Sequence, residues 1–431
     1  MKKILILADY FPPCNLTPAE RILSFAKYFK EFGYYPVIVT RNWDIPIAHP
    51  KDERMSTGTR VVHEKNENYE VYYVPYKSTL RDRVFNKFLG TNFYFLYLII
   101  ALVYSIGEYF SSHFTSFLPL YKQCRNILKT EKGFSYLLIS GSPFHLFKFG
   151  YKLNKEFGIK WIADYRDDWS TNNILVKTGI KALGKSFEKR KEIKWVSTAT
   201  FFISVSDHYV DKITTLLCTV PGYTILNGYI ASNYEGLVKS NSNSFSIVYV
   251  GALYAGQPIE VFLEGYKAFI DDMPNLITKV TFVGLKTQPQ EFKKVQQIME
   301  GYENYVDFTL RMSKNKTIEL QNNATLLLLC AHNNLKGVPG SKLYEYVALE
   351  KPILACPSDR EIAEDTITET GQGYIANSVE ECTLQLKKLY KEYGMSNGSA
   401  KNINRHAINK YSRYENVKKL ALILDHVQNK K

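Results

Sequence analysis

The chain alternates short apolar runs with segments whose apolar residues recur at helical spacing. Residues 4–8 read as a first strand, five apolar positions that stop at Asp9. A run this short before an acid predicts a buried strand rather than a signal peptide. A turn rich in Pro, Asn and Thr follows over 11–18, then a helix over about 19–32 with Ile22, Phe25, Ala26 and Phe29 on one face. Gly33 is placed to end it. Residues 37–40, 71–74, 136–140, 161–164 and 201–205 are further β-type runs. Strands alternating with helices predict a parallel sheet covered on both faces.

The pattern restarts in the second half. Residues 245–251 form a strand ending in Gly, 259–271 a helix, 280–283 a strand closed by Gly284, and 290–301 a helix. Strands follow at 306–308, 325–329 and 353–355. Between the halves, 232–244 contains Asn-Ser-Asn-Ser and almost no large apolar residue, so it reads as a linker. The expected organisation is a first domain over 1–231, a second over 245–405, and a terminal segment over 406–431 that returns to the first domain. Its last helix, about 414–428, carries Val417, Leu420, Ala421 and Leu424 at helical spacing. The fold class expected is α/β, with two doubly wound parallel sheets (Rossmann-like) facing a central cleft, where ligands bind beyond the carboxyl ends of strands.

One segment breaks the rhythm. No charged residue occurs from Phe88 to Gly107, and 93–106 is nearly all apolar, with Arg81, Arg83 and Lys87 just upstream. Fourteen residues are short of the roughly 20 a bilayer span needs. A helix apolar all round is either buried or lipid-facing, and 88–121 is read as an insertion that packs in the core or touches a membrane. The segment 174–194 interleaves apolar residues with Lys177, Lys181, Lys185, Lys189, Arg190, Lys191 and Lys194. It is either a solvated basic helix or a surface for anionic lipid.

Composition narrows the picture. The 431 residues are 45% hydrophobic and 23% charged, which excludes disorder, collagen and coiled coil. The net charge of +13 suits an anionic partner without identifying one, and no helix-turn-helix, zinc spacing or RNP-type strand supports nucleic acid. The six Cys include no CxxC pair, which fits a reduced, cytosolic chain with neither zinc site nor disulfide framework.

The richest stretch is Gly337-Val-Pro-Gly-Ser-Lys-Leu-Tyr-Glu345, in which a Gly/Pro turn opens a helix at Ser341. A helix N-terminus offers free N–H groups and partial positive charge, and Lys342 adds a full one. A phosphate at Gly340 and Ser341 would place a ribose near Glu345, one turn on. The alternative is a plain capped helix with a solvent-facing Lys–Glu pair. Acids and an aromatic cluster at the end of the 161–164 strand, as Asp164, Arg166, Asp167 and Trp169, where cleft residues belong, or where an Arg–Asp pair pins a loop. His145 follows another strand and reads equally as a cleft residue or a structural one.

These segments, in this order, resemble family 4 glycosyltransferases of the GT-B fold, in a polysaccharide-biosynthesis branch. The residues that carry the likeness are Phe11-Pro12-Pro13 with Arg21; Ser140-Gly-Ser-Pro-Phe-His145 with Gly150; Trp161 to Trp169; Ile225-Leu-Asn-Gly228; Val248-Tyr-Val-Gly251; and the 337–352 block. The resemblance implies transfer of a sugar from a nucleotide-sugar to a saccharide or lipid-linked saccharide, with retention at the anomeric carbon, at the inner face of the cell membrane. The donor would meet Gly251, Arg311, Gly340, Ser341, Lys342 and Glu345. His145 and Asp167 would face the reacting sugar, and Asp164, Arg166 and Trp169 the acceptor. No Asp-x-Asp metal motif appears, and neither a metal nor another cofactor is expected. Two departures stand out. Gly337 occupies the place of the first Glu of the family's pair, and no Arg or Lys follows Gly251. They keep two rivals in play, a sugar-nucleotide epimerase of the same fold and a degenerate membrane-bound scaffold.

Overall fold

The structure is a computed structural model of residues 1–431. It describes all of them except 46, 48, 172–179, 239–243, 255, 274–275, 332–336, 339, 397–402 and 430–431, and the side chains of 180–183, 341 and 393–396. The chain divides into two compact units, residues 1–226 with 416–431, and residues 227–415.

The first unit holds β1 (Lys2–Leu7), β2 (Tyr34–Arg41), β3 (Val62–Lys65), β4 (Glu70–Val74), β5 (Phe134–Ser140), β6 (Trp161–Tyr165), β7 (Phe201–Ser204) and β8 (Gly222–Thr224). They form one sheet in the order β3-β4-β2-β1-β5-β6-β7-β8. All pairings are parallel except β3 with β4. The inner strands are buried on both faces, so they read as continuous apolar runs. Helix α1 (Pro18–Tyr28) opens on Pro18 and passes into one 3-10 turn, Phe29–Phe32, so the helix expected to reach residue 32 tightens in its last turn. Gly33 ends it at φ +83, a conformation glycine adopts without strain.

Between β4 and β5 lie α2 (Leu80–Phe88), α3 (Tyr94–Phe110) and α4 (Leu118–Thr130). Thr79 and Asp82 form a capping box at the start of α2. In α3 the single buried residue is an acid, Glu108. The helix is neither a core helix nor bare on every side. Its inner flank is tied by Arg81 to Glu108 and by Lys148 to the Glu108 backbone oxygen, while Phe95, Leu98, Ile99, Leu102, Val103 and Ile106 remain 44–56% exposed. Next come α5 (Phe147–Phe157), α6 (Ile180–Val196) and α7 (Asp207–Leu217).

The second unit holds β9 (Phe245–Val250), β10 (Thr278–Val283), β11 (Val306–Phe308), β12 (Leu326–Leu329), β13 (Ile353–Ala355) and β14 (Gly373–Ile375). They form an all-parallel sheet ordered β11-β10-β9-β12-β13-β14. Its helices are α8 (Glu260–Asp271), α9 (Pro289–Ile298), α10 (Lys314–Asn323), α11 (Ser341–Ala348), α12 (Ile362–Glu369), α13 (Val379–Ser396) and α14 (Arg405–Lys410). The last helix, α15 (Arg413–Asn429), places Val417, Leu420, Ala421 and Leu424 in the core of the first unit beside Ile4, Ile6, Phe25 and Leu138.

Candidate functional site

In the second unit the predicted donor residues gather where β9 ends. Gly251 follows β9 at φ +94, and a Cβ there would lie 2.7 Å from Lys342 Cε. The missing side chain lets Lys342, the second residue of α11, lie against the strand end. Its Nζ donates to Tyr249 Oη and to the Ala252 carbonyl, both at 3.2 Å, and stands 4.4 Å from the centroid of the Tyr249 ring. Both acceptors are neutral, so neither cancels the charge. Burial pulls the ammonium down to about 8.

Gly340 is the N-cap of α11, extended at φ −63 and ψ 136, with no side chain capping the first turn. The backbone of Ser341 opens the helix, while its side chain lies outside the described residues. Glu345 is half-buried, with Oε1 3.8 Å from Lys314 Nζ. Gly251, Gly340, Lys342 and Glu345 therefore share one neighbourhood. Arg311 is exposed on the segment before α10, and among the described residues no hydrogen bond or ion pair joins it to Lys342 or Glu345. Sequence reasoning missed Glu361. Its Oε2 accepts the backbone N–H of Gly337 at 2.8 Å, bringing a carboxylate to the point where the family's first Glu is replaced by Gly. Only the chain reversal after β13 makes that pairing, so no local pattern announced it.

In the first unit the carboxyl ends of β1, β5 and β6 carry the remaining candidates. Asp164 is fully buried. Arg21 of α1 reaches it at 2.8 Å from Nη2, Ser140 Oγ donates to it at 2.9 Å, and Arg21 also binds the Ile225 and Leu226 carbonyls. Asp164 has no exposed side-chain surface and pins the strand ends through these partners. Arg166 donates to the carbonyls of Gly141 and Ser142 at 2.7 and 2.5 Å, and lies 5.3 Å from the Tyr10 ring. Asp167 is exposed. Trp169 is not an open platform for a sugar. Its ring stacks on Phe144 at 5.3 Å and packs on Trp195 at 5.7 Å, and its Nε1 donates to Glu188. Asp9 was read only as the end of an apolar run. It is buried, its Oδ1 has no hydrogen-bond partner, and burial raises its carboxyl to about 6.

Among the described residues no hydrogen bond or ion pair joins His145 to Asp167. His145 borders a cavity of about 340 Å³ under α3, with Nδ1 4.0 Å from Glu108 and its ring against Phe117, and burial holds it below the ordinary histidine value. A second cavity of about 330 Å³ opens among Phe134, Ser135, Lys160 and Gln428, at the amino ends of β5 and β6. Ligands in such sheets bind at the opposite, carboxyl end, which favours the first cavity. Lys191 of the basic helix is buried between Ser105 and Glu188, whereas Lys189, Arg190 and Lys194 are exposed. Lys177 and the side chain of Lys181 lie outside the described residues.

Residues 236–414 match the family described as glycosyl transferases group 1. No curated protein matches the sequence. Solved structures show the fold. A sucrose-phosphate synthase from Thermosynechococcus elongatus is 11% identical with a TM-score of 0.63, each chain covered in full. An α,α-trehalose-phosphate synthase (UDP-forming) from Burkholderia xenovorans, in complex with glucose-6-phosphate, is 9% identical over 98% of this chain and 100% of that one, with a TM-score of 0.67. A glycosyltransferase from Rickettsia africae ESF-5 is 13% identical at a TM-score of 0.63, again over both full chains. The second sheet, with the Gly251–Lys342 contact at the end of β9, lies inside the segment similar to the group 1 glycosyl transferases, and the chain as a whole has the GT-B fold of these solved structures.

Proposed function

We propose that this enzyme moves a sugar, with retention at the anomeric carbon, from a nucleotide-sugar to a saccharide or lipid-linked saccharide in the synthesis of a cell-surface polysaccharide. The observation that carries the reading is Lys342: a buried ammonium whose hydrogen-bond acceptors among the described residues are neutral, at the first turn of α11 and beside the end of β9. Negative charge grows on the departing diphosphate in the transition state, and a pre-placed cation with helix N–H groups stabilises it without reorganising. That arrangement needs no metal, so chelation with EDTA leaves the rate unchanged. Glu345 takes the ribose hydroxyls, and Glu361 supplies the carboxylate that Gly337 cannot. Arg166 and Asp167 serve the acceptor.

A soluble sugar phosphate is the rival acceptor, since the Burkholderia xenovorans synthase holds glucose-6-phosphate. The outer row of α3 favours the lipid-linked one. Helix α3, which carries that row, packs against α2 and α6, and both of those bear exposed cations, Arg83 and Lys87 on α2 and Lys189, Arg190 and Lys194 on α6. An apolar stripe beside cations fits a bilayer carrying anionic lipid. Contact is peripheral in this reading: among the described residues no helix is long and apolar enough to cross a membrane.

The test is a thermal-shift screen of nucleotide-sugars, in which a ligand bound only by the folded state raises the melting temperature. One nucleotide-sugar is expected to stabilise the wild type, and Lys342→Ala to abolish the shift and lower kcat/KM at least about a hundredfold. Product formation without added acceptor would point to an epimerase. Absence of any nucleotide effect would point to a scaffold.

A further inference from the structure

We propose that the cavity beneath α3 is a saccharide pocket that receives the terminal sugar of the acceptor, a proposal that rests on the transferase reading. Its volume of about 340 Å³ falls within the roughly 300–1,000 Å³ of small-molecule sites. It lies beside the 142–145 loop after β5 and Trp169 after β6, at the carboxyl edge of the sheet.

The charges balance inside it. Arg81 Nη1 pairs with Glu108 Oε1 at 3.0 Å, and Lys191 Nζ with Glu188 Oε1 at 2.6 Å. Ser105 Oγ joins the second pair, 2.6 Å from Lys191 and 2.8 Å from Glu188. Two cations and two carboxylates leave no surplus positive charge for a phosphate. An apolar ligand would strip water from these groups and return nothing. A neutral polyol matches them, because each hydroxyl can donate to a carboxylate and accept from a cation. Two buried atoms already lack hydrogen-bond partners, Arg81 Nε and His145 Nε2. Phe144, Trp169 and Trp195 also line the cavity and give it an apolar side beside these polar groups, their rings packed on one another rather than open for stacking. Ser105 and Glu108 come from the helix whose other face carries the apolar row. One helix thus both meets a lipid surface and frames the pocket for the sugar that the lipid carries.

The experiment uses the full chain and a panel of methyl pyranosides (gluco, galacto, manno, rhamno and N-acetylglucosamine), followed by tryptophan emission and saturation-transfer NMR. At least one glycoside is expected to bind in the millimolar range. Glu188→Gln and Ser105→Ala, each checked for folding by circular dichroism, weaken it by about tenfold or more. Failure of every glycoside to bind, undiminished binding in both variants, or displacement of the glycoside by inorganic phosphate overturns the proposal. Calorimetry with UDP and GDP on the same protein separates the two readings. Nucleotide binding without glycoside binding removes the pocket and keeps the transferase, and glycoside binding without nucleotide binding keeps the pocket and removes the transferase.

Discussion

Lys342 owes its chemistry to what surrounds it. A lysine in water stays charged to beyond pH 10, whereas burial brings this one to about 8. On the proposed function, the free protein loses its diphosphate anchor as pH rises through 8. The expected profile of kcat/KM falls there, and Lys342→Arg moves that limb upward because guanidinium stays protonated. Asp9 shows the opposite sign. Its folded value of about 6 lies above the ordinary aspartate value of 3.8, so its neutral form favours the fold below pH 3.8 and that contribution is lost as pH rises through 6. Above pH 7 the ionised carboxylate costs about 3 kcal/mol. Asp9→Asn is expected to raise the melting temperature at pH 8 and leave it unchanged near pH 4; an equal shift at both would contradict the assignment. The motif around residue 340 told of Lys342 in advance. Asp9 and Glu361 were hidden because a partnerless oxygen, or a carboxylate brought in from another loop, leaves no spacing to read.

Among elements, the join between α1 and β6 can be weighed directly. Arg21 and Asp164 are both buried, so removing one leaves the other charge uncompensated, at about 3–5 kcal/mol. The exposed Lys2–Asp425 pair contributes under about 1 kcal/mol. Denaturant titration of Arg21→Ala and Lys2→Ala should show that contrast; similar losses would mean the buried pair is already compensated by its hydrogen bonds. The inner strands were legible because burial on both faces writes a continuous apolar run. β3, β8 and β14 were not, being three or four residues long at the sheet margins with few buried side chains. Helix α3 was legible as an anomaly only. Its apolar residues run all round, and its neighbours α2 and α6 decide which face is covered.

For the molecule as a whole, the exposed row of α3 predicts sedimentation with vesicles. Binding is expected with liposomes rich in phosphatidylglycerol, less with neutral ones, and to weaken with added salt. Replacing Leu98, Leu102 and Ile106 by Ser should abolish it while leaving nucleotide binding intact; retention by that triple variant would free α3 of the role. The basic composition foretold an anionic partner without saying which, since net charge carries no geometry. The arrangement of cations beside an apolar face narrows it.

The shared helix has a kinetic corollary. An enzyme held at an interface meets its acceptor by travel in a plane, so its rate follows molecules per unit area rather than per unit volume. Diluting the acceptor with inert lipid would slow turnover even when the amount in the tube stays constant, while adding buffer would not.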